Sequence, residues 1–313
     1  MLIDLAFVAS GLVLLLIAGD FLVRGAVALS LRLGIPALVV SLTVVAFGTS
    51  APELLVSVQA TMDGATDLVF GNIVGSNIAN VLLVLGVPAL ISPIAVSQNG
   101  VLRNFVMMIV ASLILIGVCA FGGFTFWIGA AFLVLLAVML CDAYVLARSG
   151  RVVIELEDAP ECMSPLPIAA CLIGGLIGLP IGAHLLIEGA RSTAVAFGVS
   201  EAAIGLTLVA VGTSLPELAT TLMAAVRRQA DVAAGNVIGS NIFNILGVFG
   251  VSALVADLPT PAGFLELDLW IMLGTALLIA PFVLLKRDIG RATGLVFVAA
   301  YVVYCVAALG PRM

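Results

Sequence analysis

The sequence predicts an all-α polytopic membrane protein: ten transmembrane helices arranged as two inverted five-helix repeats. Three observations carry that expectation. The chain has 313 residues, 63% of them hydrophobic and only 10% charged, with a mean hydropathy of +1.32, far beyond the composition of a soluble domain. Apolar runs of about 20 residues, long enough to cross the hydrocarbon core, follow one another with short connections. A segment of the first half also returns in the second at a constant offset of 164 residues, and such self-similarity has to be interpreted before any local motif.

The spans are expected at 3–23, 36–61, 68–93, 103–121, 124–147, 166–188, 200–225, 232–256, 266–285 and 292–309. The leader MLIDLAFVAS has no basic residue before its apolar run and carries Asp4, so the first run reads as a retained span rather than a secretory signal. With the N-terminus outside, the cytoplasmic connections hold Arg24, Arg32, Arg103, Arg148, Arg151, Arg227, Arg228, Lys286, Arg287 and Arg291, ten of the twelve basic residues; only Arg191 and Arg312 fall outside. That bias orients the bundle, with both termini outside the cytoplasm. The chain divides into a first repeat (1–148), a short cytoplasmic linker (149–165) and a second repeat (166–313). Five spans precede the linker, so the second repeat enters the membrane upside down relative to the first. Inverted repeats build many secondary transporters, with the substrate site near the midplane, where interrupted helices from both copies meet.

The duplication is densest over 48–86 and 212–250, with 18 identities in 39 positions and no gap. Each copy opens on an acid beside a proline: GTSAPE (Gly48 to Glu53) and GTSLPE (Gly212 to Glu217). A proline within a span removes one N–H and frees a carbonyl about four residues back, near Gly48 and Thr49 in the first copy. Freed carbonyls in a bilayer are tolerated where they line a hydrated or ion-filled cavity. Glu53 and Glu217 add carboxylates, and Thr49, Ser50, Thr213 and Ser214 add hydroxyls. All are hard oxygen ligands, suited to Ca²⁺ or Na⁺ and poorly suited to zinc or copper. The following spans place Asn72, Ser76 and Asn80, and in the copy Asn236, Ser240 and Asn244, at i, i+4 and i+8 along one helical stripe. Gly71 with Gly75, and Gly235 with Gly239, form GxxxG pairs that let helices approach closely.

An ionisable group within a span is costly and by default functional, so Glu53 and Glu217 are read as ion ligands. Asn77 and Asn241 lie off the stripe and read as interhelical hydrogen-bond glue. Two ionised glutamates facing one cavity repel, and one Ca²⁺ or several Na⁺ would neutralise them; two cation types competing for one site is the physical basis of exchange. An empty, doubly charged site is costly to reorient, which favours exchange over leak.

Other residues receive structural readings. The five cysteines show no CxxC spacing and read as small hydrophobes. The single histidine, His184, occupies the position equivalent to Asp20 and lies outside both motifs. Asp67 and Asp231 precede helices and suit N-terminal dipole stabilisation. Asp63, Glu201, Asp257, Glu266 and Asp268 read as solvated outward-facing charge. The acidic linker residues Glu155, Glu157, Asp158 and Glu161 lack an EF-hand pattern. The chain lacks HExxH, and one histidine cannot build a multi-histidine metal site, which argues against an intramembrane enzyme.

GTSAPE with GNIVGSNIAN, and GTSLPE with GNVIGSNIFN, resemble the two alpha repeats of the cation/Ca²⁺ exchanger superfamily, most closely its sodium/calcium exchanger branch. The resemblance implies a prokaryotic calcium/sodium antiporter that exchanges Ca²⁺ for Na⁺ by alternating access. It has no catalytic residue and no cofactor apart from the transported ions, and its partners are those ions and the lipid bilayer, with no nucleic acid. The family's ligands carry over to Glu53 and Glu217, to Thr49, Ser50, Thr213 and Ser214, and to Ser76, Asn80, Ser240 and Asn244. Ala46 and Ala210 match positions that offer main-chain carbonyls. An archaeal member has an aspartate at the position of Asn244, so this cage has one acid fewer. The proton-coupled branch usually departs from these motifs, which favours Na⁺ over H⁺ as the coupling ion; H⁺/Ca²⁺ exchange at the same site is the nearest alternative and a cation channel a more distant one. A monomeric transport unit in a bacterial inner membrane completes the expectation.

Overall fold

The computed structural model describes residues 2–96, 100–148, 163–196, 212–261 and 263–309. In chain order the helices are α1 (Leu2–Leu33), α2 (Ala37–Thr49), α3 (Ala51–Met62), α4 (Thr66–Ile91), α5 (Val101–Ala120), α6 (Phe126–Arg148), α7 (Pro165–Ala196), α8 (Leu215–Val226), α9 (Ala230–Val255), α10 (Phe264–Leu284) and α11 (Arg291–Leu309). A two-stranded antiparallel ribbon pairs β1 (Gly123–Phe124) with β2 (Leu258–Pro259). Seven of the helices are long and apolar enough to cross a membrane, and α2 with α3, bent by 44° at their junction, make up to an eighth. The protein is therefore a multi-span helical membrane protein.

Two spans are longer as helices than the apolar pattern indicates. α1 runs on from residue 23 to Leu33, and α7 from 188 to Ala196. Arg24, which the apolar pattern leaves beyond the span, pairs with Asp20 one turn back at 2.9 Å, and Asp20 also pairs with Arg227 beyond α8. The helix stops where Gly34 adopts a left-handed φ of 65° and Pro36 follows. Arg24 and Arg32 thus lie on α1 rather than in a connection.

α1 and α7 pack along each other through small residues. A Cβ on Gly11 would meet the Gly182 carbonyl at 2.7 Å, and one on Gly175 would meet the Ala18 carbonyl at 2.9 Å. The two backbones are as close as glycine alone permits. This pair contributes to an apolar cluster of its own, with Leu15, Ala18, Leu22, Leu179, Ala183 and Ala219. The larger cluster is built on α4 and α9, the two most buried spans.

In the second half the GxxxG expectation holds: Cβ atoms on Gly235 and Gly239 would meet the Ser41 Cβ at 2.9 Å and the Ala46 Cβ at 2.7 Å, so α9 lies directly on α2. For Gly71 and Gly75 the equivalent partner segment falls outside the described residues. Asp67 and Asp231 do sit in the first turns of α4 and α9. Asp268 departs from its sequence reading. It is 5% exposed, held in a π-helical turn that opens α10. Among the described cysteines only Cys119 is buried. Cys162, Glu201 and the acidic linker residues lie outside the described residues.

Candidate functional site

The GTSxPE motifs break their helices at the serine. Ser50 has φ −82°, ψ 4° and Ser214 has φ −85°, ψ 2°, the sparsely populated bridge region found at turns and active sites. Pro52 and Pro216 then fall in the first turn of α3 and of α8, where a missing N–H costs nothing. Glu53 and Glu217 share those first turns, at the positive end of the helix dipole, which favours a carboxylate. Serine, proline and glutamate therefore act together to start a new helix inside the bundle with an acid at its head.

Both glutamates are fully buried, as are Ser76, Asn80, Ser240 and Asn244. The structure brings the two halves into contact through these residues. Thr49 Oγ1 lies 3.3 Å from Asn236 Oδ1 and 3.3 Å from Ser240 Oγ. In the mirror arrangement Thr213 Oγ1 lies 3.3 Å from Ser76 Oγ and donates to Asn72 Oδ1 at 3.5 Å. Ser50 Oγ donates to Glu217 Oε1 at 3.3 Å. The Ala46 carbonyl accepts from Ser50 N–H at 3.0 Å and from Thr49 Oγ1 at 3.4 Å. Ala210 lies outside the described residues. Thr49, Ser50, Glu53, Ser76, Asn80, Thr213, Ser214, Glu217, Ser240 and Asn244 are all buried.

The same centre contains residues that the motif reading did not include among the ligands. Asn72 Nδ2 donates to the Glu53 carbonyl at 3.0 Å and to Ser57 Oγ at 2.9 Å. Asn236 Nδ2 does the same to the Glu217 carbonyl at 3.3 Å and to Thr221 Oγ1 at 2.9 Å. These amides fasten each glutamate helix to the neighbouring asparagine helix. The i, i+4 stripe signalled the asparagines; Ser57 and Thr221 were legible only as a hydroxyl retained at the 164-residue offset. Asn80 opens a π-helical turn in α4, and Asn244 lies in another in α9. Such turns widen a helix locally and recur at functional sites.

One chemical property unites the centre. Glu53 Oε1 and Oε2, Glu217 Oε2, Asn80 Oδ1, Asn244 Oδ1 and Ser214 Oγ are all buried without a hydrogen-bond partner. Unsatisfied buried polar atoms are rare in folded proteins and each requires an explanation. Here all six are oxygens, five of them acceptors that a hard cation would satisfy.

A helical membrane bundle with paired acids buried among amide and hydroxyl oxygens, at the heads of helices that start inside it, has the build of a cation transporter. The chain belongs to the sodium/calcium exchanger protein family, which it matches over residues 3–145 and 167–310. It is 38% identical to the putative antiporter CaxA of Alkalimonas amylolytica, over 97% of this chain and 98% of that one. It is 30% identical to the sodium/calcium exchanger MaX1 of Methanosarcina acetivorans, over 95% of each. Among solved structures, the sodium-calcium exchanger NCX_Mj soaked with 10 mM Na⁺ and zero Ca²⁺ superposes with a TM-score of 0.84, at 34% identity and 99% coverage of both chains.

Proposed function

We propose that this protein is a secondary active antiporter that exchanges Ca²⁺ for Na⁺ by alternating access at the buried oxygen centre. The observation that carries the proposal is the set of unpartnered oxygens on Glu53, Glu217, Asn80, Asn244 and Ser214. Ca²⁺ takes six to eight oxygen ligands in flexible geometry, and these atoms with the hydroxyls of Thr49, Ser50, Thr213, Ser76 and Ser240 supply such a set. Ala46 and Ala210 are assigned as main-chain contributors. Two carboxylates balance one Ca²⁺ or two Na⁺, so either ion can relieve the charge that the other leaves behind.

The family membership and the likeness to NCX_Mj, whose structures were obtained with Na⁺, Ca²⁺ or Sr²⁺, support this choice of ions. The two matched segments, 3–145 and 167–310, and the 164-residue offset support ten spans in two inverted halves, 1–148 and 166–313, joined by the linker 149–165. The placement of Lys and Arg supports both termini outside the cytoplasm. A bacterial inner membrane and a monomeric transport unit fit the same reading, with Ca²⁺, Na⁺ and lipid as its partners and the transported ions in place of any cofactor.

The test is a flux measurement in proteoliposomes. Ca²⁺ uptake driven by an outward Na⁺ gradient at matched pH is the expected result. Uptake that needs a pH gradient and ignores Na⁺ would establish H⁺/Ca²⁺ exchange instead, and conductance in bilayers without a counter-ion would establish a channel.

A further inference from the structure

Next to the oxygen centre lies a second set of buried polar groups, made of Asn77 and Asn241 and the sulfurs of Met272 and Met108. All four side chains are at most 2% exposed. Asn77 Nδ2 donates to Met272 Sδ at 3.6 Å, and Asn77 Oδ1 accepts from Asn244 Nδ2 at 3.4 Å. In the other half Asn241 Nδ2 donates to Met108 Sδ at 3.5 Å, and Asn241 Oδ1 accepts from Asn80 Nδ2 at 3.0 Å. Met108 and Met272 are themselves separated by the repeat offset of 164 residues. The molecule thus holds two copies of one chain of contacts, methionine to asparagine to asparagine. Each copy crosses from one half to the other.

We propose that Asn77 and Asn241 are positioning residues that turn the amide oxygens of Asn244 and Asn80 toward the transported cation, and that Met272 and Met108 fix the direction of each relay. The proposal rests on the reading of Asn80 and Asn244 as ion ligands. A thioether sulfur has lone pairs and no proton, so an amide facing it must present its NH₂ edge. The amide is planar, and its opposite edge is therefore the carbonyl. That carbonyl accepts the NH₂ of the ligand asparagine, whose own oxygen is left facing away from the relay. This is the oxygen found without a partner in both Asn80 and Asn244. Reversing an outer amide would set NH₂ against NH₂ unless the ligand asparagine also turned, and a turned ligand would offer N–H to a cation.

The two relays are not equally anchored. Asn241 Nδ2 has a second acceptor, the Asn77 carbonyl at 3.4 Å, whereas Met272 is the one acceptor found for Asn77 Nδ2 among the described residues. Met272→Leu therefore releases its amide, and Met108→Leu leaves its amide one tether.

The experiment measures Na⁺-gradient-driven Ca²⁺ uptake by the full chain in proteoliposomes, with thermal unfolding of each variant as the control for folding. Met272→Leu preserves side-chain volume and is expected to raise the KM for Ca²⁺ about tenfold, the low end of what partners of metal ligands contribute, with kcat within about twofold. Met108→Leu is expected to raise it by less. A carboxylate has oxygen on both edges and needs no orienting, so in an Asn244→Asp background the Met272→Leu change should leave KM unaltered. An unchanged KM for Met272→Leu in the otherwise native chain overturns the relay, as does the same shift in both backgrounds, which would mark a packing role. Should Met272→Leu fail to fold, Met108→Leu reads the other relay, and loss of its KM shift overturns the proposal there. Wild-type protein without Na⁺-driven uptake would instead overturn the exchanger reading beneath it.

Discussion

Asp20 on α1 and Arg227 at the end of α8 form an ion pair across 207 residues of chain. The pair joins the α1–α7 unit, with its own apolar cluster, to the helix that carries Glu217. Both side chains are mostly covered, 14% and 34% exposed. At the repeat offset their counterparts are His184 and Asp63. Both are exposed, and Asp63 is hydrogen-bonded to Gln59 at 3.0 Å instead. A partly exposed ion pair contributes about 0.2–1 kcal/mol. A double-mutant cycle with Asp20→Asn and Arg227→Gln, read by thermal unfolding, should give a coupling energy in that range. The same cycle built on His184→Gln and Asp63→Asn should give none, and a coupling of similar size there would contradict the asymmetry.

Glu53 and Glu217 should both be indispensable. Glutamine keeps the volume and loses the charge, so Glu53→Gln and Glu217→Gln are expected to lower Ca²⁺ uptake at least about 100-fold, as loss of a charged ligand in a low-dielectric site implies. Stability separates this effect from misfolding. A bound ion raises stability by about 2.7 kcal/mol at 100 times its Kd, so wild-type protein should melt higher when Ca²⁺ is added. Both variants should remain folded and lose that response, and a retained Ca²⁺ response in either would remove that residue from the cage.

The motifs made most of the centre legible, because buried charge and helix-breaking residues inside apolar runs have few structural explanations. The buried polar residues and the helix breaks could be read from the chain, and the GxxxG pair of α9 signalled a close approach without naming α2 as its partner. The asymmetry of the two copies could not be read. The repeats are nearly identical around GTSxPE, yet Leu55 on α3 is 71% exposed and its counterpart Ala219 on α8 is 5% exposed, because α1 lies on α8 at Gly19, where a Cβ would meet the Ala219 carbonyl at 3.0 Å. Which copy is covered is a tertiary choice that the repeat offset does not encode; its one local trace here is the small Ala219 where the first copy has Leu55. Asp268 was misread for a related reason: an acid near a span end looks solvated until the packing around it is known.

Asn72 and Asn236 fasten the two helix types of the centre, and the cost of losing them should exceed that of losing their hydroxyl partners. Asn72→Leu leaves the buried Ser57 hydroxyl without its donor and removes three hydrogen bonds, those to the Glu53 carbonyl and Ser57 and the one accepted from Thr213. A destabilisation of about 1–3 kcal/mol is expected. Ser57→Ala, which leaves Asn72 its bond to the Glu53 carbonyl, should cost about 0.5–1.5 kcal/mol. Chemical or thermal unfolding of both variants tests the order, and a reversed order would mean that the amide does not hold α3 to α4.

Close approach of α9 and α2 gives the last prediction. A Cβ on Gly239 would lie 2.7 Å from the Ala46 Cβ, 3.0 Å from the Leu42 Cα and 3.1 Å from the Leu42 carbonyl. Backbone and a Cβ cannot rotate away, so the helices must separate, which typically costs about 1–3 kcal/mol in a packed core. Separation would also move Thr49 from Ser240, now 3.3 Å apart, so Gly239→Ala should lose transport as well as stability. Gly117 on α5 is the control: it has no atom within 4 Å of the position a Cβ would take. Gly117→Ala should be neutral or stabilising by about 0.4–1 kcal/mol, through reduced freedom of the unfolded chain. Equal unfolding temperatures and equal Ca²⁺ uptake for the two variants would show that α9 and α2 are not held at backbone contact.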